Sequence, residues 1–285
     1  MTLTPKILQE KNKEKIQSAL VKFYTKRPNF YGFCNERDDE YFHYAEFIKT
    51  YANSGIHLDF GTGTNRILMQ LSKLDFEYIY GLDYFNEDDI KKLNNEISNL
   101  KNCTIVKYDE PNKIPFNNQT FNSISSLCVF EHLVYPEKTL IEMDRVLKKG
   151  GKLIIDCPNW SGPNSAITAL SYNIKGKRYW RYNNIFDSIS AIFRSLFWYI
   201  QNVFSKNGKF IMIEPRMKDG QIDFEFSDDD VVHLCQPLSI IKFLENMNYK
   251  LLYCNKNTGK TAYSKIFNKI FPMFATSNQI VFEKI

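Results

Sequence analysis

The chain reads as an α/β protein: a mostly parallel sheet of seven strands, with helices on both faces. Three observations predict this. Between Gly55 and Cys157, apolar runs of strand length alternate with stretches of helical period. A glycine turn, Gly61-Thr62-Gly63, directly follows the first of those runs, in the stretch HLDFGTGTN. After a long aromatic-rich segment, two more apolar runs follow, after a helical pattern around Ile240. Strands separated by helices need crossover connections, which make neighbouring strands parallel and bury both sheet faces.

Taken in order, residues 1–54 form a helical extension, with a helix from Glu36 to Tyr51 whose inner residues are Tyr41, Ala45, Phe47, Ile48 and Tyr51. The core at 55–157 then carries strands at Ile56–Phe60, Tyr78–Leu82, Cys103–Tyr108, Ser123–Val129 and Lys152–Cys157. Its helices run to about Leu74, from Asp88 to Leu100 and from Pro136 to Leu147. Residues 158–235 interrupt the alternation as an insertion. Its first part, NWSGPNSAITALSYNIKGKRYWRYNN, looks loop-like, and a helix follows from Ile185 to Phe204. The last part, 236–285, returns to the core with a helix at Pro237–Asn246 and strands at Tyr249–Cys254 and Gln279–Lys284.

In the 185–204 helix, Ile185, Ile189, Ile192, Phe193, Leu196, Tyr199, Ile200 and Val203 recur at helical spacing. That pattern predicts a face buried on the core or on a second copy of the chain, a homodimer contact, with membrane-surface binding as the alternative. Asp187 and Arg194 interrupt the run, whereas a spanning helix wants roughly 20 mainly apolar residues without central charge.

With 285 residues, 44% of them hydrophobic, the chain can fill a sizeable core. Its net charge of +5 arises from 37 basic against 32 acidic residues. The lysines are scattered, which suits an anionic small molecule and argues against nucleic acid. Six cysteines lie far apart without a C-x-x-C pair, so neither a disulfide framework nor a metal site is expected. The N-terminal residues lack an apolar run of the kind a secretory signal has, so a cytoplasmic protein is expected. The acidic run Asp228–Asp230 reads as a solvated helix start.

In doubly wound sheets a ligand sits beyond the carboxyl ends of the strands, and the first strand-to-helix turn touches it. Glycines there let a ligand approach the backbone and permit positive φ. Asp83 closes the second strand, twenty positions after Gly63, where a carboxylate accepts from both hydroxyls of a ribose. These features fit a nicotinamide cofactor as well as S-adenosylmethionine. The nicotinamide reading, an oxidoreductase or sugar epimerase, expects G-x-G-x-x-G, but Arg66 stands where the last glycine belongs.

Later motifs separate the two. KYDEPNKIPFNNQTFNSISSLCVFEHL, Lys107 to Leu133, places Asp109 after the third strand, then Ile114-Pro115-Phe116, then Glu131-His132 after the fourth; RVLKKGGKLIID follows. In this order and spacing the sequence resembles the class I S-adenosylmethionine-dependent methyltransferases of the small-molecule branch. Asn65, Lys149, Ile114 and Asn122 depart from the usual pattern there. The resemblance implies a Rossmann-like seven-stranded sheet with a final antiparallel strand, and an insertion that caps the acceptor side.

It also implies roles. Asp59 and Gly61-Thr62-Gly63 take the methionine end, Asp83 the ribose, Asp109 with neighbouring Glu110 the adenine amine, and Tyr84 the adenine face. Leu127 and Cys128 face the sulfonium through their backbone. His132 is the preferred general base for a hydroxyl acceptor, with Glu131 and His233 as second choices. His43 and His57 read as structural. Trp160, Arg178, Tyr179, Trp180 and Arg181 mix aromatic faces with cations, which suits a sugar ring beside a phosphate, or equally an ordinary basic surface loop. The resemblance points to a sugar, nucleotide-linked sugar or phosphorylated acceptor of surface-glycan (capsule or lipopolysaccharide) synthesis. A quinone-like lipid and a non-catalytic nucleoside-binding module stand as alternatives.

Overall fold

The computed structural model describes residues 6–26, 38–64, 66–100, 102–177, 182, 184–223, 228–255 and 262–285. Asn65, Arg178, Tyr179, Trp180 and Arg181 lie outside them. The chain divides into two compact units. The strand-rich unit comprises Val21–Val129, Glu137–Asp156 and Val281–Ile285, and the helix-rich unit comprises Met1–Leu20, Phe130–Pro136 and Cys157–Ile280.

The strand-rich unit carries β1 (Ile56–Phe60), β2 (Tyr78–Asp83), β3 (Cys103–Lys107), β4 (Phe121–Leu127) and β5 (Leu147–Pro158). Between them run α3 (Arg66–Leu71), α4 (Glu87–Glu96) and α5 (Pro136–Val146), after α1 (Lys13–Lys26) and α2 (Asp38–Tyr51). β1 pairs in parallel with β2 and β4, β2 with β3, and β4 with β5. Leu58, Ile79, Leu82, Ile124 and Ile154 are fully buried, as expected for strands covered on both faces. With β8 (Tyr249–Cys254) and β9 (Ser277–Lys284) the sheet has seven strands, in the order β3-β2-β1-β4-β5-β9-β8, mostly parallel with one antiparallel strand. Strand order reverses between β1 and β4, which is where such sheets bind their ligands.

Local chemistry sets the boundaries. Asn86 caps α4 by accepting from the Asp89 N–H at 2.8 Å, and Glu87, Asp88 and Asp89 fill its first turn against the positive helix end. β5 starts at Leu147, five residues before the predicted start, because the register slips across the KKGG stretch before pairing resumes at Lys152. Arg145 explains why Ile114-Pro115-Phe116 and RVL occur together. Its guanidinium donates to the Ile114 and Phe116 carbonyls at 2.8 Å and grips Glu142 with two bonds. Glu142 in turn accepts from the Ile114 N–H at 2.9 Å. The Arg145 bond holds the Glu142 carboxyl below the usual carboxylate range.

The helix-rich unit differs from expectation at three points. The loop-like start of the insertion contains a helix, α6 (Pro163–Ile174), begun by Pro163 after Gly162. Helix α7 (Ile185–Phe204) keeps its predicted bounds but turns the other face inward. Ser188, Ala191, Ser195 and Asn202 are buried, whereas Ile185, Ile189, Phe193, Leu196, Ile200 and Val203 are exposed; Ile192 and Tyr199 are partly buried, Ile192 against the cluster of Ala166, Ala169, Tyr182 and Ala191. Asp229 and Asp230 are buried in a turn, where a solvated helix start had been expected. β6 (Met217–Lys218) and β7 (Gln221–Ile222) form a hairpin whose Asp219 and Gly220 both take positive φ. Then come α8 (Pro237–Glu245) and α9 (Ala262–Ile270), the latter without a clear sequence signal. No helix among the described residues is long and apolar enough to cross a membrane.

Candidate functional site

The first turn is built by backbone bonds and one carboxylate. After β1, the Gly61 and Thr62 N–H groups both reach the Leu82 carbonyl, at 2.7 and 3.2 Å. The Gly63 N–H donates to Asp83 Oδ2 at 2.7 Å, and the Tyr84 N–H donates to Asp83 Oδ1 at 2.7 Å. Asp83 thus ties the β1 turn to the end of β2. These two bonds orient the carboxylate. Gly61 and Gly63 take φ of +78° and +58°. A Cβ on Gly61 would lie 2.1 Å from Val129 Cγ2, so any other residue there pushes against the end of β4.

Beneath the turn lies a directed chain of side chains. Ser125 Oγ donates to Asp59 Oδ1 at 2.7 Å. His57 Nε2 lies 2.9 Å from Ser125 Oγ, and His57 Nδ1 lies 2.7 Å from Ser123 Oγ. Because Ser125 gives its proton to Asp59, Nε2 must donate to Ser125, and Nδ1 accepts from Ser123. Burial lowers the His57 pKa to about 3, so the ring is neutral, as this tautomer requires. Burial raises the Asp59 carboxyl to about 6, opposed by the Ser125 hydrogen bond and reinforced by nearby Asp83. Tyr44 of α2 is buried against the same group. Burial first, then Asp59, Asp156 and Cys128, hold its phenol well above the usual range.

Past β2 and β3 the walls are aromatic. The Tyr84 ring lies 4.9 Å from that of Tyr108, and 6.5 Å from that of Tyr24, nearly parallel to the latter. Asp109 stands outward, its side chain 67% exposed, in an ion pair with Lys107 at 2.8 Å; Lys107 also holds Glu87. Glu110 pairs with Lys113 at 2.9 Å. At the end of β4, Leu127 precedes Cys128, which takes φ of +53° and donates its N–H to the Asp156 carbonyl at 2.7 Å.

The helix-rich unit holds the second group of residues. His132 lies between two buried carboxylates: Nε2 is 3.7 Å from Glu131 Oε1, and Nδ1 is 3.4 Å from Asp230 Oδ2. The Val232 and His233 N–H groups donate to the Glu131 carbonyl, at 2.8 and 2.9 Å, which draws the 228–232 turn onto this segment. His233 is fully buried. Its Nδ1 donates to the Phe130 carbonyl at 3.0 Å, and burial lowers its pKa to about 4. Trp160, with Trp198, packs on the buried cluster of Ile211, Ile213, Val231 and Leu234.

Within the strand-rich unit, then, the fold brings together Asp59, Gly61, Thr62, Gly63, Asp83 and Tyr84. Ser125, Tyr44, Tyr108 and Tyr24 join them without having been singled out in the sequence. Ser125 and Tyr108 carried a weak signal, the first in the carboxyl half of β4 and the second just after β3; Tyr24 and Tyr44 lie far away in sequence and carried none. Asp230 is another such addition: its charge run looked like ordinary surface.

Residues 58–155 match the family described as "Methyltransferase domain". The ubiquinone/menaquinone biosynthesis C-methyltransferase UbiE of Blochmanniella floridana is 30% identical over 120 residues, 41% of this chain and 46% of that protein. The chain thus spans just under half the length of that relative. Among solved structures, a SAM-dependent methyltransferase from Aquifex aeolicus superposes with a TM-score of 0.51 at 16% identity, over 90% of this chain and 97% of that one. One from Mesorhizobium loti gives 0.53 at 11% identity, over 86% and 99%. These likenesses establish the fold, and S-adenosylmethionine is the cofactor that a domain of this kind takes. Residues 58–155 match a methyltransferase domain, and the chain shares its fold with the two solved structures from Aquifex aeolicus and Mesorhizobium loti.

Proposed function

We propose that the chain transfers a methyl group from S-adenosylmethionine to a small polar acceptor, through a hydroxyl oxygen of a sugar, nucleotide-linked sugar or phosphorylated metabolite of surface-glycan synthesis. The observation that carries the donor half is the glycine turn pinned by Asp83 at the point where strand order reverses. The residues present fit the donor: a turn with glycine at two of its three positions for its amino-acid end, an oriented carboxylate for its ribose, and Tyr84 with Tyr108 as an aromatic wall for its base. When bound, the donor supplies a methyl group already activated by the sulfonium, so the chain's tasks are positioning and removal of a proton.

His132 is the base in this reading. Its ring nitrogens face the buried carboxylates of Glu131 and Asp230, at 3.7 and 3.4 Å, which orient the imidazole. A quinone-like ring is the second acceptor class, and the likeness to UbiE supports it. There the same base would take a proton from a ring hydroxyl or carbon.

Calorimetry with S-adenosylhomocysteine and with NAD tests the donor half. Binding of S-adenosylhomocysteine is expected, and binding of NAD alone overturns the proposal. Release of S-adenosylhomocysteine with sugar nucleotides or with short-chain quinols then assigns the acceptor class.

A further inference from the structure

Helix α7 is inverted relative to an ordinary surface helix. Its buried side is small or polar, with Ser188, Ala191, Ser195 and Asn202, and Asn173 of α6 donates to Ser188 Oγ at 2.8 Å. Its outward side is apolar over about a third of its circumference and along all 20 residues, about 30 Å. Phe186, Phe193, Phe197 and Phe204 are 82%, 68%, 57% and 85% exposed, with Ile189 and Ile200 between them. Surface helices place such a stripe on the core. Here the stripe faces away from it.

The neighbouring elements extend the same surface. Tyr199 of α7 lies 5.0 Å from the Phe274 ring, which stacks at 6.2 Å on Phe271 beyond the end of α9. Ile266, Ile270 and Phe271 are exposed there, beside exposed Lys265 and Lys269. The charge of these segments is lopsided. Residues 159–209 and 255–276 hold 11 of the chain's 37 basic residues and one of its 32 acidic ones, a net of +10. The remainder holds 26 basic and 31 acidic residues, a net of −5.

We infer that α7, with α9 beside it, docks the protein on an anionic lipid bilayer. The helix lies in the interface, its phenylalanines among the acyl chains and the flanking cations at the headgroups. Charge decides against a second copy as the occupant: the described residues of these segments hold seven basic residues and one acidic one, so a two-fold dimer through this face brings together two segments of net +6. An anionic surface is the complement. The amphipathic pattern without a spanning helix fits a reversible, salt-sensitive attachment.

Flotation of the full chain with phosphatidylcholine vesicles, with and without about 30% phosphatidylglycerol, tests this. Binding is expected only to the anionic vesicles, weakened at about 0.5 M salt and roughly a hundredfold or more weaker in Phe193→Glu/Phe197→Glu. Both side chains are exposed, so the variant keeps its melting temperature; Phe186→Glu at the helix start is the substitute if it does not. Failure to bind anionic vesicles, equal binding to neutral ones, or undiminished binding of the variant overturns the inference. So does a lipid-free dimer, seen by light scattering, that the same substitutions dissociate. Affinity for S-adenosylhomocysteine reads the donor site separately, so the two proposals fail independently.

Discussion

Replacing Asp83 by alanine perturbs the turn where its bonding is best defined. The carboxylate accepts from the Gly63 and Tyr84 N–H groups, both at 2.7 Å, so the substitution removes two charge-assisted bonds together with the ribose acceptor. Each such bond is worth about 1.5–3 kcal/mol. Asp83 is only partly buried and water can replace it at both donors, so the net loss falls below the combined range of about 3–6 kcal/mol. A loss of about 2–3 kcal/mol in donor affinity corresponds to a rise of roughly 30- to 150-fold in Kd for S-adenosylhomocysteine, measured by calorimetry. Adenosine, which has the ribose but no amino-acid end, separates the two contributions. An equal loss for both ligands assigns the effect to the ribose, and a loss confined to S-adenosylhomocysteine assigns it to the glycine turn. An affinity within twofold of the parent for both would refute the assignment of Asp83 to the site.

Gly61→Ala should weaken donor binding and destabilise the fold by about 2 kcal/mol, since the new Cβ meets Val129 at a φ that disfavours side chains; adding Val129→Ala should restore part of both, and no rescue would mean that the clash is not the cause. The raised pKa of Asp59 gives stability that is full below its unfolded value near 4 and lost as pH rises through about 6. Asp59→Asn should therefore gain about 3 kcal/mol relative to the parent between pH 4 and pH 7 in denaturant titrations, and a pH-independent difference would contradict the burial argument. Arg145→Ala leaves the Ile114 and Phe116 carbonyls and Glu142 without their shared donor, and thermal unfolding should show a loss of about 2–3 kcal/mol; a change below about 0.5 kcal/mol would show that the clamp is replaceable by water. His132→Ala should lower turnover about a hundredfold or more while leaving S-adenosylhomocysteine affinity intact, and full activity would remove it as the base.

The sequence by itself determined the strands and their parallel pairing, because strands buried on both faces must be apolar runs and crossovers need helices between them. It determined the position of the glycine turn and of Asp83, because a backbone that must take positive φ beside a ligand leaves a glycine signature. It determined the bounds of α7, because apolar residues recur at helical spacing from Ile185 to Val203, and the start of α8, because Pro237 suits a first helical turn. Only the tertiary structure decided which face of α7 turns inward: periodicity finds the apolar stripe, but α6 and α7 pair through small residues, Ala166 and Ala169 against Ala191, and through the Asn173–Ser188 bond, and leave most of that stripe outside. Only the fold revealed that Asp230 is buried beside His132, and that His57, Ser125 and Asp59 form one proton-directed chain. These are contacts between residues up to about a hundred positions apart, and burial of a charge is a property of its neighbours in space. The side chain's own position in the sequence carries no record of it.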